Sequence, residues 1–223
     1  MFIRFFITLI LAVFSLSYGY SEDSDLLILD ENEVFIGNFF AVKSSVEIAG
    51  VVKGDVYIAA AQCTIDGIIE GDLLIACASA DVAGHVKGNI RALVGQINVS
   101  GTVDKNVTLV GGNVELSPNG VVHGSVVAVG GNTDISGSVF SDVTIVSSHA
   151  KIAGQINSNI DGYVNELRVT SKARIAGDLV YKSSNQAIID TKAKISGIVR
   201  YHQSVLSNII EWSWLKGVIL GSK

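Results

Sequence analysis

Four aspartates, Asp55, Asp72, Asp142 and Asp178, each follow a glycine or serine and precede an aliphatic residue. If such positions stack, their carboxylates lie ~4.8 Å apart, close enough to hold a cation or to divide acid and base roles in sugar cleavage. Asn38, Asn89, Asn106 and Asn159 fill the same slot. A slot that accepts either residue asks only for a short side chain that hydrogen-bonds the corner backbone, so turn capping is the reading adopted.

The other chemistry-bearing residues give similar answers. His85, His123 and His149 fall in different registers, and none has a zinc-ligand spacing, which leaves them as exposed corner residues with no metal site. Cys77 aligns with Ala60, placing Cys63 three positions along the neighbouring segment; that separation predicts two small buried hydrophobes beyond disulfide reach. Gly111-Gly112-Asn113 and Gly130-Gly131-Asn132 look like phosphate cradles, but no Lys-Ser or Lys-Thr follows them, so they are expected to be corners needing permissive backbone. No catalytic residue, cofactor site or nucleotide site is expected.

What positions these residues is a repeat. Gly37, Gly54, Gly71, Gly88, Gly124, Gly177 and Gly197, with Lys105, Ser141 and Ser158 as substituted copies, recur every 17 to 20 residues. Aligning the copies produces apolar columns. One runs Ile48, Ile65, Val82, Val99, Leu116, Ile135, Ile152, Val169 and Ile189; another starts at Phe35 and Val52 and ends at Ile175 and Ile195; a third starts at Phe39 and Val56 and ends at Leu179 and Val199. The longer copies carry turn chemistry such as Ser117-Pro118-Asn119-Gly120, which puts the single proline in a corner where its missing N–H does no harm.

Helical repeats need 30 residues or more and a 3.6 period, whereas here short β-branched segments alternate between glycine corners. The pattern predicts a parallel β-helix, or solenoid, of about ten 17-residue coils, each hydrogen-bonded to the next, in a rod roughly 45 Å long. Inner coils satisfy their backbone on both sides. The two terminal coils do not, and each leaves open strand edges and a slice of apolar core. Phe35, Phe39 and Phe40 at the start and Ile195 and Val199 at the finish are the candidate residues for end-to-end polymerisation.

Two outward columns bear on register. Lys53, Glu70, Lys87 and Asp104 alternate in sign, which favours pairing between adjacent rungs. Glu47, Asp81, Glu115 and Asp134 give way to Lys151 and Arg168, a polarity suited to head-to-tail joining. Nucleic acid is excluded as a partner, because the net charge is −5 and the Lys and Arg residues are scattered. With 48% apolar residues the chain is also no disordered polymer.

The flanks differ from the repeat. Residues 1–19, with Arg4 before the apolar run Phe5 to Phe14 and Ser17-Tyr18-Gly19 after it, read as a secretory signal peptide. That run is shorter than the ~20 residues that span a bilayer. Residues 20–33 are a linker, 34–201 the β-helix and 202–223 a tail in which Val205, Leu206, Ile209 and Trp212 share one helical face, with Trp214 beyond. This amphipathic helix either caps the last coil or lies at a membrane interface.

The copies Gly54-Asp55-Val56, Gly71-Asp72-Leu73 and Gly177-Asp178-Leu179, with Val110-Gly111-Gly112-Asn113 and Val129-Gly130-Gly131-Asn132 between them, resemble the bactofilin family over about Val34 to Tyr201. Bactofilins are bacterial polymer-forming cytoskeletal proteins. The resemblance implies a right-handed triangular β-helix that joins end to end without nucleotide. Ordinary members are cytoplasmic, whereas this chain begins with an export signal, so the expectation is a non-enzymatic scaffold of the periplasm or cell envelope, in contact with the membrane surface or envelope proteins. The alternative is a monomeric surface rod, an adhesin or a carbohydrate-binding or carbohydrate-cleaving β-helix.

Overall fold

A computed structural model describes residues 26–203. The segments expected to form a signal peptide and an amphipathic helix, the latter including Leu206, Ile209, Trp212 and Trp214, lie outside the described residues. The described chain is a parallel β-solenoid of about ten coils, with about 17 residues in each. Its strands form two sheets in which every coil pairs with the one before and the one after. Columns read from sequence are the observed register: Ile48 pairs with Ile65, Ile65 with Val82, and Val82 with Val99.

Each coil has three straight runs. Ten-residue strands such as Phe39–Ile48 and Val56–Ile65 supply two of them, because the ladder skips one residue in the middle of each strand. Lys43 pairs with Ala60 and Ser45 with Gln62, leaving Ser44 and Ala61 at a bend. The bend resets the alternation, since a single unpaired residue shifts the period of two. Val56 and Ile58 face inward before it, Cys63 and Ile65 after it. The short strands, for example Val51–Lys53 and Ile68–Ile69, make the third run. We call these the first, second and third faces.

Inward aliphatics from all three faces fill the interior: Ile65, Val82, Val99, Ile69, Val86 and Ile90 are wholly buried. One backbone bond repeats along the rod. The N–H of each strand's leading residue donates to the carbonyl just before the next strand: Phe39 to Asp55 at 2.8 Å, Val56 to Asp72 at 2.8 Å, and so on through Leu179 to Ile198 at 3.0 Å.

Corner glycines have a different cause from the one the sequence suggests. Among the described residues only Gly37, in the first coil, has a positive φ, at 112°. Elsewhere the constraint is space between coils: a Cβ on Gly67 would land on the carbonyl oxygen of Gly50. Gly112 and Gly131 likewise have the carbonyl of the preceding coil against them.

The ladder also reaches further toward the start than the repeat suggests. Leu26–Leu29, inside the stretch read as linker, pairs with Ser45 to Ile48 and buries Leu29. The apolar run Leu26-Leu27-Ile28-Leu29 supplies the inward residues without the glycine signature.

Candidate functional site: the two open ends

The coil has a direction, first face to second to third. At the end of the described chain, the last strand, Val199–Gln203, lies on the first face and pairs with Leu179 to Ser183. At the beginning, the first strand, Leu26–Leu29, lies on the second face, and Val34–Ile36 follows on the third. Among the described residues, one end therefore holds one run of a coil and the other holds the remaining two. Together the two part-coils amount to one complete coil.

Side chains at the ends are correspondingly uncovered. Phe35 is 38% exposed, whereas Val52 directly beneath it in the column is 0% exposed. Val199 is 43% exposed, while its neighbour Leu179 is fully buried. Ile195 is half-buried, and Ile188 and Ile198 beside it are exposed. The leading-residue series, unbroken from Phe39 to Leu179, next reaches Val199, which has no following coil among the described residues.

The five candidate end residues thus occupy distinct positions. Phe35 and Val199 sit at the open slices, with Ile195 partly covered. Phe39 is buried, capped by the edge of the Phe35 ring at 5.2 Å. Phe40 points sideways, 70% exposed and stacked on Tyr57 at 4.8 Å.

The cysteines overturn their sequence reading. Cys63 and Cys77 form a disulfide, with Cα atoms 6.5 Å apart. Cys77 does align with Ala60. Counting three residues along a straight strand, however, ignores the bend at Ala61: it turns the chain so that both cysteines point into the same interior corner. Their Cα separation then falls within bridging range.

The histidines are exposed and in different registers, as read from the sequence, yet two of them share a partner. His85 bonds Asp104 at 3.0 Å, and His123 lies 3.6 Å from the same carboxylate oxygen. Thr102 pairs with His85, and Val122 with Val103, so the third face brings both rings to the aspartate between them. His149 lies 3.7 Å from Glu166. Among the described residues no group of three or more His, Cys, Asp or Glu side chains is arranged to hold a metal ion.

The aspartate–asparagine column does cap corners, between coils. Asp55 accepts from the N–H of Asp72 at 2.9 Å, Asp72 from that of Asn89 at 2.8 Å, and Asp142 from that of Asn159 at 3.1 Å. Partial burial opposes ionisation of Asp72, but bonds from Asn89 and Arg91 outweigh it and hold its carboxyl below the usual value. Asp142 is lowered as well, first by the hydroxyl of Ser158 and then by the Asn159 backbone. Desolvation, and next the charge of Asp55, raise the Tyr57 phenol.

Of the alternating column, Lys87 and Glu70 pair at 3.0 Å. On the second face Lys151 meets Asp134 at 2.7 Å. An open trough of about 990 Å³ runs along that face between Gln96, Asn113 and Asn132 on one side and Asp81, Glu115 and Asp134 on the other. Its acids are engaged: Asp81 with Asn98, Glu115 with Ser117 and Asp134 with Lys151.

No family model, characterised protein or solved structure matches this chain. The solenoid is established by the strand register itself.

Proposed function

We propose that this chain is a non-enzymatic scaffold that polymerises by stacking rods head to tail, in the manner its likeness to bactofilins implies. The observation carrying this reading is the complementarity of the two part-coils. Taking the described residues, a second rod placed on the first continues the staircase: Phe39 of the next rod lies against Val199, Phe35 against Ile195, and Leu29 against Ile189. The N–H of Val199 then meets the carbonyl of Asn38, the bond that joins every inner coil to its successor. Joining buries the uncovered aliphatics at about 25 cal/mol per Å² and pairs the open strand edges, with no nucleotide in the chemistry.

Export to the periplasm or envelope is part of the same proposal. The Cys63–Cys77 disulfide suits an oxidising compartment, and residues 1–19 supply the address.

A cysteine pair tests the joint. Phe40 and Arg200 share one outward column, in which Arg200 pairs with Val180, so head-to-tail stacking sets Phe40→Cys of one rod beside Arg200→Cys of the next, within bridging distance. Oxidation of the double variant is expected to give a covalent ladder of multimers. A ladder stopping at dimers would contradict head-to-tail growth.

The second-face trough favours a second reading, a single rod that binds an extended glycan through its amide ladder. Titration calorimetry with soluble polysaccharides checks it. Heat that disappears in Asn113→Ala/Asn132→Ala would support it.

A further inference from the structure

One of the two outward columns of the first face is apolar along most of the rod, as no outward column of the other two faces is. This column runs from Val42 through Ala59, Ala76, Leu93, Val110, Val129 and Val146 to Tyr163 without a polar residue. Val42 is 59% exposed, Leu93 44% and Val110 38%. The flanking outward column is mixed: Phe40, Tyr57, Leu74 and Val127 share it with Arg91, Thr108, Thr144 and Asp161. At equivalent outward positions the second face carries Asp81, Asn98, Glu115 and Asp134, and the third His85, Lys87, Thr102 and Asp104. Water-facing strands normally alternate apolar with polar, and an unbroken aliphatic row on the outside marks a contact surface.

We propose that this stripe is a lateral interface that pairs the rod with a second copy of itself, face to face. Three observations choose this occupant. Eight rungs at ~4.8 Å and five residues across give roughly 550 Å² on each rod, so a pair covers about 1,100 Å², just above what a specific interface needs. The surface is a sheet of short aliphatics, which fits a second such sheet at ~10 Å. The rims decide against lipid and fix the arrangement. Asp55, Asp72, Asp142 and Asp178, alternating with Asn38, Asn89, Asn106 and Asn159, give one long edge an acidic bias that disfavours anionic headgroups, while the amides of Gln62, Gln96, Asn113 and Asn132 line most of the other, which ends in His149 and Glu166. A two-fold axis parallel to the rods sets the acidic edge of each copy against the amide edge of its partner. An axis across the rods would oppose acid to acid. The pair is therefore parallel, with both copies growing in one direction.

End joining lengthens an assembly and side pairing widens it, so the two proposals fail separately. Leu93→Lys/Val110→Lys changes only outward residues, and Thr102→Lys on the third face is the control. Electron microscopy of the mature wild-type chain, with sedimentation at rising concentration, is expected to give double-width particles. The lysine variant should fall to single width with at least tenfold weaker pairing and an unchanged melting curve, and the control should behave as wild type. Wild type remaining single-width at every concentration, or pairing that survives both lysines, would overturn the proposal. So would single rods whose stripe cross-links to their own residues 204–223, or single rods that bind phosphatidylcholine–phosphatidylglycerol vesicles in wild type but not in the lysine variant.

Discussion

Val82 in the middle of the rod and Val199 at its end are both inward-facing valines of the same repeat, yet one is wholly buried and the other 43% exposed. The difference is the neighbouring coil. In the middle each rung is covered above and below, so a side chain's burial and its strand's hydrogen bonds are provided by copies of itself. At the end no such neighbour exists among the described residues, and under the proposed stacking the residue types that stabilise the interior would form the joint. Stability and the proposed assembly would then draw on one set of interactions, divided only by position along the axis.

The sharpest way to break this comparison is to put the same charge in both places. Val99→Asp buries a carboxylate without a partner and should abolish the cooperative fold, a cost of about 4 kcal/mol or more, read by circular dichroism on denaturant titration. Val199→Asp should change the unfolding midpoint little and remove assembly. Equal losses of fold from the two variants would mean that the end is no different from the middle.

Reducing Cys63–Cys77 comes next. The bridge closes a 14-residue separation near the start of the rod, and its loss should lower stability by about 3 kcal/mol in a denaturant titration with and without reductant. The last coils should keep their amide protection in hydrogen exchange longer than the first, since coils communicate mainly with neighbours.

Thr133 offers a change in the opposite direction. Its hydroxyl is buried with no hydrogen-bond partner, among the inward residues Val114 and Ala150. Thr133→Val should raise the stability of the middle by about 1 kcal/mol, seen as a higher midpoint.

The smallest effect is the pH response of the capping column. Asp72 and Asp142 hold lowered native pKa values, so the charged form is favoured in the fold relative to the unfolded chain. The stability they contribute is present above the ordinary carboxylate value of about 3.9 and is lost as pH falls through the native values. Asp142→Asn should therefore flatten the acid limb of a melting-temperature profile.

Much of the fold was legible because the repeat aligns chemically identical residues: the columns through Ile65 and Val52 are the observed ladders, residue for residue. What escaped was whatever depends on the shape of a coil. A single unpaired residue such as Ala61 leaves no mark in composition, yet it bends the strand, swaps the inward parity and brings Cys63 to Cys77. The sharing of Asp104 by His85 and His123 needed the third-face register, and the strand Leu26–Leu29 lacks the glycine that announces other coils. Of the ends, the sequence placed the start of the β-helix at Val34, eight residues after the first paired strand begins at Leu26. That one end holds one run of a coil and the other two appears only when each strand is assigned to its face. The outward row through Leu93 and Val110 was hidden by the inward aliphatics with which it alternates.

Negative-stain electron microscopy of the purified mature chain, beside Val199→Asp, tests the central claim most directly. The account predicts continuous filaments for wild type and separate rods about 45 Å long for the variant, the length expected of the stacked coils at their ~4.8 Å spacing. Separate rods from wild type at every concentration, or filaments unaffected by the substitution, would contradict it.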